Sequence, residues 1–343
     1  MKKFDKDLLN KNILMLSDYV CENNYHKKEL EDERFLIKKF KEEIEKYKLN
    51  FFYVEIKTLK ELKAVLKNVN LPGTVIYNWC EEVDQKEGSG YLVAKYLSDN
   101  NYIFTGSDYK ALKFANNKTD VKKILENNGI LTPKFVEIKK IEDTKNINIP
   151  YPIIVKYNNL HSSVGISARN IVNNKRECVR ICREMLEKKE SSLIAETYIE
   201  GDEFLVGVWG FSSNLQVLPI VKVEFLDKNI NDIQTYRAKF KLDSKQYKNT
   251  IYKFVDKKAD SAIKKIVGND ALLAAKLLNL EGYSRFEFRG AGSKYYLIDA
   301  NPNPALCQEC FIFISAKVLG YNYGETILKL CEFALKKHFD SRK

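Results

Sequence analysis

Two β-like runs near the C-terminus, GYSRFEFRG from residue 282 and KYYLIDANPNP from residue 294, constrain this chain more than any other feature. The turn formers Gly290 to Ser293 join them. Side chains alternate faces along a strand, so Arg285 and Glu287 point the same way, as do Asp299 and Asn301. Paired as a hairpin, the strands bring one guanidinium, two carboxylates and one amide to a single patch. Burying such a set is costly unless something compensates it. A hard cation with oxygen ligands, magnesium held jointly by carboxylates and substrate phosphates, would do so. A surface hairpin with charges paired across its strands fits the same residues, so the rest of the chain must decide.

With 343 residues, the chain can bury a large core, and its length suggests two or three domains. Hydrophobic residues make up 45% and charged residues 30%, the balance of a soluble globular protein. The formal charge is +11, but the lysines are spread along the chain without an arginine-rich tract or a basic-aromatic signature. Specific nucleic-acid binding is therefore unsupported, while a basic surface also suits an enzyme that collects nucleotide phosphates. The N-terminus is polar through Lys11, and no apolar run approaches a membrane-spanning length of ~20 residues, so cytoplasm is the expected compartment. Seven irregularly placed cysteines do not form a disulfide framework, and reduced thiols are expected. Cys307 and Cys310 form a C-x-x-C, and Cys178 and Cys182 lie four apart on an expected helix. With only three histidines in the chain and no second C-x-x-C, packing explains these cysteines better than zinc or redox chemistry.

From Asn12 the sequence alternates short apolar runs with amphipathic stretches, the rhythm of a parallel sheet covered by helices. The fold class is thus α/β and α+β. The expected division is 1–112 for an N-terminal Rossmann-like domain, 113–192 for a small central α+β domain, and 193–343 for a C-terminal domain. Residues 227–252 have no convincing period and read as a mobile lid.

The loop from Lys156 to Gly165 has the parts phosphate binding needs: a strand-end lysine, the hydroxyls of Ser162 and Ser163, and a glycine that admits close backbone approach. It matches neither the Walker pattern nor G-x-G-x-x-G. Further on, ETYIEGDE offers the carboxylates Glu196 and Glu203 on either side of Tyr198 and Ile199, which suit an adenine amino group and ribose hydroxyls. Alone, each pattern also fits an ordinary turn with solvated side chains.

Taken in order, Lys118, Lys156, S-S-V-G at 162–165, E-x-Y-I-x-G-x-E at 196–203, A-K-F at 238–240, R-x-E at 285–287 and D-x-N at 299–301 resemble the ATP-grasp superfamily, and within it the D-alanine-D-alanine ligases. The resemblance runs from about residue 74 to residue 303. It implies an ATP-grasp architecture, with an N-terminal parallel-sheet domain followed by two α+β domains clasping ATP. Lys118 and Lys156 would contact phosphates. Ser162, Ser163 and Val164 would close over them, with Ser162 also among the catalytic residues. Glu196 and the backbone of Tyr198 and Ile199 would hold adenine, Glu203 the ribose, and Lys239 the terminal phosphate. Glu287, Asp299 and Asn301 would hold Mg²⁺, with Mn²⁺ as an alternative ion, and Arg285 would face the reacting carboxyl. The implied chemistry joins a small-molecule carboxylate to an amine through an acyl phosphate. A homodimer is among the assemblies the family admits.

The resemblance fails where amino acids would bind. The serine-glutamate signature those ligases carry after their first strand is absent from NILMLSDYVCENN. Their serine-proline-glycine-methionine segment is replaced by NPNPALCQEC, and Phe240 stands where a lid tyrosine is common. His161 replaces a loop glycine and reads as solvent-exposed. The expectation is a carboxylate-amine ligase whose substrates are not two D-alanines. The alternatives are a true D-alanine-D-alanine or D-alanine-hydroxy acid ligase, and a nucleotide-binding regulatory protein without turnover.

Overall fold

The computed structural model of the chain describes residues 3–18, 27–160, 165–230, 232–240, 243–255, 261–305 and 310–340. In chain order, the first elements are β1 (Asn12–Asp18), α1 (Lys27–Glu45), β2 (Phe51–Ile56), α2 (Leu59–Leu66), β3 (Thr74–Trp79), α3 (Gly90–Asp99) and β4 (Ile103–Phe104). These strands form a parallel sheet in the order β2-β1-β3-β4. β1 carries the run Ile-Leu-Met-Leu, buried throughout, as expected of a parallel strand covered on both faces. Thr58 caps α2 by accepting from the Glu61 amide at 3.1 Å.

The middle of the chain supplies α4 (Tyr109–Ala115), α5 (Lys118–Asn127), β5 (Phe135–Ile138), β6 (Ile153–Tyr157), β7 (Ile171–Val172), α6 (Lys175–Lys188) and β8 (Leu193–Thr197). Its strands form an antiparallel sheet, β5-β8-β6-β7, with α6 packed on it through Cys178, Ile181, Cys182 and Met185.

The last part contains β9 (Asp202–Gly210), β10 (Gln216–Val217), β11 (Val221–Phe225), α7 (Tyr236–Phe240), α8 (Lys245–Asn249), β12 (Thr250–Phe254), α9 (Ser261–Leu277), β13 (Gly282–Ala291), β14 (Lys294–Asn301), α10 (Phe311–Val318) and α11 (Tyr323–Asp340). Its sheet runs β12-β11-β9-β13-β14, with β10 also on β9. Pro219 separates β10 from β11, because it has no amide to give a ladder.

The six-stranded sheet has two different faces. Phe204, Val206, Val208, Phe286 and Phe288 meet α9 on one. On the other, Leu205, Trp209 and Tyr283 join α11 and the first sheet in one core, while Glu203, Arg285, Glu287 and Arg289 occupy the opposite end of that same face. One surface is therefore apolar where it packs and charged where it opens. Helix α11 also bonds the first section directly, the Lys337 ammonium donating to the Gly106 carbonyl at 2.8 Å.

Two expectations need correction. Residues 227–252 are not a featureless loop: α7, α8 and the start of β12 lie within them, and Asn249 ties the ends by accepting from the Asp227 amide and donating to the Asp227 carbonyl, both at 2.8 Å. The helices are one turn or so long, too short to show a period. Cys80, Cys178, Cys182 and Cys331 are reduced and buried as expected, but Cys310 is disulfide-bonded to a partner outside the described residues. Disulfide formation depends on proximity in space, which spacing does not reveal. Cys307 lies outside the described residues.

At the end of β1, burial lifts the Asp18 carboxyl to about 6, against hydrogen bonds from backbone amides that include Glu82 at 3.1 Å. A raised folded value means that the ionised form costs stability above about pH 6, and that the cost vanishes as pH falls toward the ordinary value of 3.8. Asp18→Asn is therefore expected to raise the thermal midpoint at pH 8, with the gain shrinking between pH 6 and 4. Thermal unfolding at both ends of that range checks it.

Candidate active site

The hairpin forms as its alternation requires. Arg285 pairs with Asn301 and Glu287 with Asp299, and a bulge after Glu287 then shifts the register so that Phe288 meets Leu297. The extra residue is Ile298, which lines the cleft beside Asp299, while Leu297 returns to the core. Arg285 Nη2 donates to Glu287 Oε1 at 2.7 Å, and Lys239 Nζ donates to the same oxygen at 3.0 Å. Burial would raise the Glu287 carboxyl, but these two cations hold it below its ordinary value and keep it ionised. Lys118 Nζ stands 3.8 Å from Asp299 Oδ1 and donates to the Leu160 carbonyl. Asn301 Oδ1 accepts from the Asn303 amide at 3.2 Å.

A second charge cluster adjoins the first. Asn117 caps α5 and accepts from Asn158 Nδ2 at 3.2 Å, while the Lys118 amide donates to the Asn158 carbonyl at 3.1 Å, which fixes the helix start against the end of β6. Lys118 and Lys122, one turn apart, then project beside Lys156. Lys156 Nζ donates to Glu196 Oε2 at 3.1 Å, and Lys122 Nζ lies 3.4 Å from Glu196 Oε1. Glu196 is 1% exposed. Burial opposes its charge, yet the two lysines pull its value down. Burial also lowers Lys118 and Lys122, whereas for Lys156 the attraction of Glu196 and Asp299 outweighs burial and raises it. Oε2 accepts from Lys156, whereas Oε1 faces Lys122 without a hydrogen bond, so an adenine amino group would share this carboxylate with two ammonium groups.

The linker after β8 and the segment before α7 wall the remaining side. The Tyr198 amide donates to the Pro152 carbonyl at 2.8 Å, which leaves its carbonyl and the Ile199 amide as the linker groups available to a base. Glu203 Oε1 accepts from Gln234 Nε2, and Gln234 Oε1 accepts from the Tyr252 hydroxyl at 3.0 Å. Burial raises the Glu203 carboxyl, partly offset by Arg289. Gly201 adopts φ +120, and a Cβ there would stand 2.2 Å from the Gly290 carbonyl oxygen, so only glycine lets the linker pass over β13.

The cleft so formed opens to solvent. Lys118, Lys156, Glu196, Tyr198, Ile199, Glu203, Glu287 and Asp299 all line it, residues up to 181 positions apart in sequence. Lys239 and Arg285 reach it through Glu287. His161, Ser162, Ser163 and Val164 lie outside the described residues, as does the Phe240 side chain. Sequence reasoning passed over Lys122, Gln234 and Arg289. The K-x-x-x-K spacing in α5 carried a signal for the first and strand alternation with Arg285 one for the last, while nothing local marks Gln234. Among the described residues, no three acidic, histidine or cysteine side chains gather to hold a metal. The expected set is two carboxylates with an amide, an all-oxygen donor set that fits a hard cation when a substrate completes the shell.

Lys122→Met removes one of two cations from a buried carboxylate and should destabilise the fold by about 3–5 kcal/mol. Lys123→Met, whose pairing with Asp120 is exposed, should change stability by less than about 0.5 kcal/mol, as denaturant titration of both variants would reveal.

The family model described as "D-ala D-ala ligase C-terminus" matches residues 124–332. The D-alanine-D-alanine ligase of Flavobacterium johnsoniae is 28% identical over 234 residues, covering 66% of this chain and 67% of that protein. D-alanine-D-alanine ligase A of Bacillus cereus is 28% identical over 259 residues, covering 73% and 78%. Among solved structures, D-alanine-D-alanine ligase from Bacillus anthracis complexed with ATP matches with a TM-score of 0.74 at 18% identity, over 96% of this chain and 99% of that one. No helix among the described residues is long and apolar enough to cross a membrane. A family match over more than half of the chain, joined to the ATP-grasp fold, establishes that it belongs to the D-ala D-ala ligase family of ATP-grasp enzymes.

Proposed function

We propose that this chain is an ATP-dependent carboxylate-amine ligase working through an acyl phosphate. The observation that carries the reading is the convergence of Lys118, Lys156 and Lys239 with Glu287 and Asp299 in one cleft. The three lysines would take the ATP phosphates. A carboxylate oxygen of the first substrate attacks the terminal phosphorus as its bond to the ADP oxygen breaks. The amine nitrogen of the second substrate then attacks the acyl carbon, a proton leaves the nitrogen, and phosphate departs. Arg285 would stabilise the oxyanion of that second step. Glu287, Asp299 and Asn301 would hold magnesium, whose charge would offset that of the phosphates. The lid segment carrying Lys239 would exclude water from the acyl phosphate.

The finer reading is that the substrate pair differs from two D-alanines, supported by the rewritten segments NILMLSDYVCENN and NPNPALCQEC and by Phe240. The names of the relatives favour the alternative, a ligase of two D-alanines. Phosphate release from ATP and Mg²⁺ with D-alanine alone, and with a panel of other amino acids and short peptides, separates the two. A dominant response to D-alanine alone would refute the finer reading and leave the ligase intact; no acceptor-dependent release anywhere would refute the ligase.

Glu287→Gln and Asn301→Ala are each expected to lower turnover by at least ~10²-fold with binding of the amino-acid substrates retained. Near-normal rates in both would remove the metal assignment. Phe240→Tyr should shift acceptor preference more than ATP affinity.

A further inference from the structure

Arg289 is buried to 6% exposure on the charged face of β13, directly opposite Glu203 on β9. Two separate segments, the β8–β9 linker and the stretch before α7, meet at its guanidinium. The Tyr198 ring of the linker lies with its centroid 4.8 Å away. Nε approaches the Gly201 carbonyl at 3.5 Å, and Nη2 donates to the backbone carbonyl of Asp232, just before α7. The Tyr198 hydroxyl closes the arrangement by donating to Asp232 Oδ2 at 2.9 Å. A methionine could fill this space without the cost of desolvating a cation. What the planar fork adds is direction: one face for the ring and separate edges for two carbonyls.

From Asp232 the chain is ordered into α7, where Thr235 accepts from the Ala238 and Lys239 amides at 3.2 and 3.1 Å through its hydroxyl and carbonyl. Lys239 therefore follows from a fixed starting point. We propose that Arg289 is a positioning residue that moors the lid to the nucleotide linker, so that the Tyr198–Ile199 backbone and Lys239 meet the two ends of one ATP molecule together. The proposal rests on the nucleotide reading above. It makes Arg289 act through Tyr198 and Asp232 rather than by transferring any group.

The test is ATP binding in the presence of Mg²⁺, by calorimetry on the full chain, together with the KM for ATP. Arg289→Met should weaken ATP binding by about tenfold or more, from loss of the cation–ring contact and a charged hydrogen bond. The loss should appear in the KM for ATP rather than in kcat. Arg289→Lys should recover part of it. Tyr198→Phe should cost a few fold, and the double variant Tyr198→Phe with Arg289→Met should be no weaker than Arg289→Met alone, because the two act through one mooring. Should Arg289→Met fail to fold, Tyr198→Phe and Asp232→Asn carry the same comparison. Wild-type affinity in Arg289→Met, or effects that multiply fully in the double variant, would overturn the proposal while leaving the nucleotide reading standing. Failure of the wild-type chain to bind ATP at all would overturn the nucleotide reading itself.

Discussion

The proposed chemistry depends on a buried arrangement of opposite charges in which five cations already face carboxylates. Glu287 serves Lys239 and Arg285, Glu196 serves Lys122 and Lys156, and Asp299 faces Lys118. Such groups are held ionised only because they are paired, since desolvation alone would neutralise them. The arrangement is therefore poised for exchange. On the proposed reading, phosphates would replace the carboxylates around the lysines, and a divalent cation would replace the lysines around the carboxylates. Neither partner entering alone leaves the remaining charges matched.

The fold supplies this arrangement by dividing labour along one sheet face. Residues 283, 285, 287 and 289 alternate to the same side of β13, yet Tyr283 is locked in the core shared with α11 and the first sheet, whereas the next three line the open end. The rigid half holds the chemical half in register. Capping does the same for the lysines: Asn117 and Asn158 fix α5 against β6, so Lys118, Lys122 and Lys156 arrive together although they come from separate elements.

Much of this was legible in the sequence because it follows from short-range periodicity. The hairpin, its facing residues and the parallel rhythm of the first section all obey strand alternation or helical spacing. The bulge that turns Ile298 into the cleft was not legible, because register is set by packing on both sides of the sheet. Nor were α7, α8 and β12, whose short spans carry no period and whose edge strand is largely exposed. The Gln234 contact with Glu203 depends on proximity between distant segments, which composition and spacing do not encode. Glu196 was expected to serve adenine alone, whereas the fold also sets it between Lys122 and Lys156.

The most direct test of charge exchange is calorimetric titration of the wild-type chain with ATP, with and without Mg²⁺. The account predicts that magnesium tightens ATP binding by at least about tenfold, equivalent to ~1.4 kcal/mol of coupling. Equal affinity with and without the ion would contradict it.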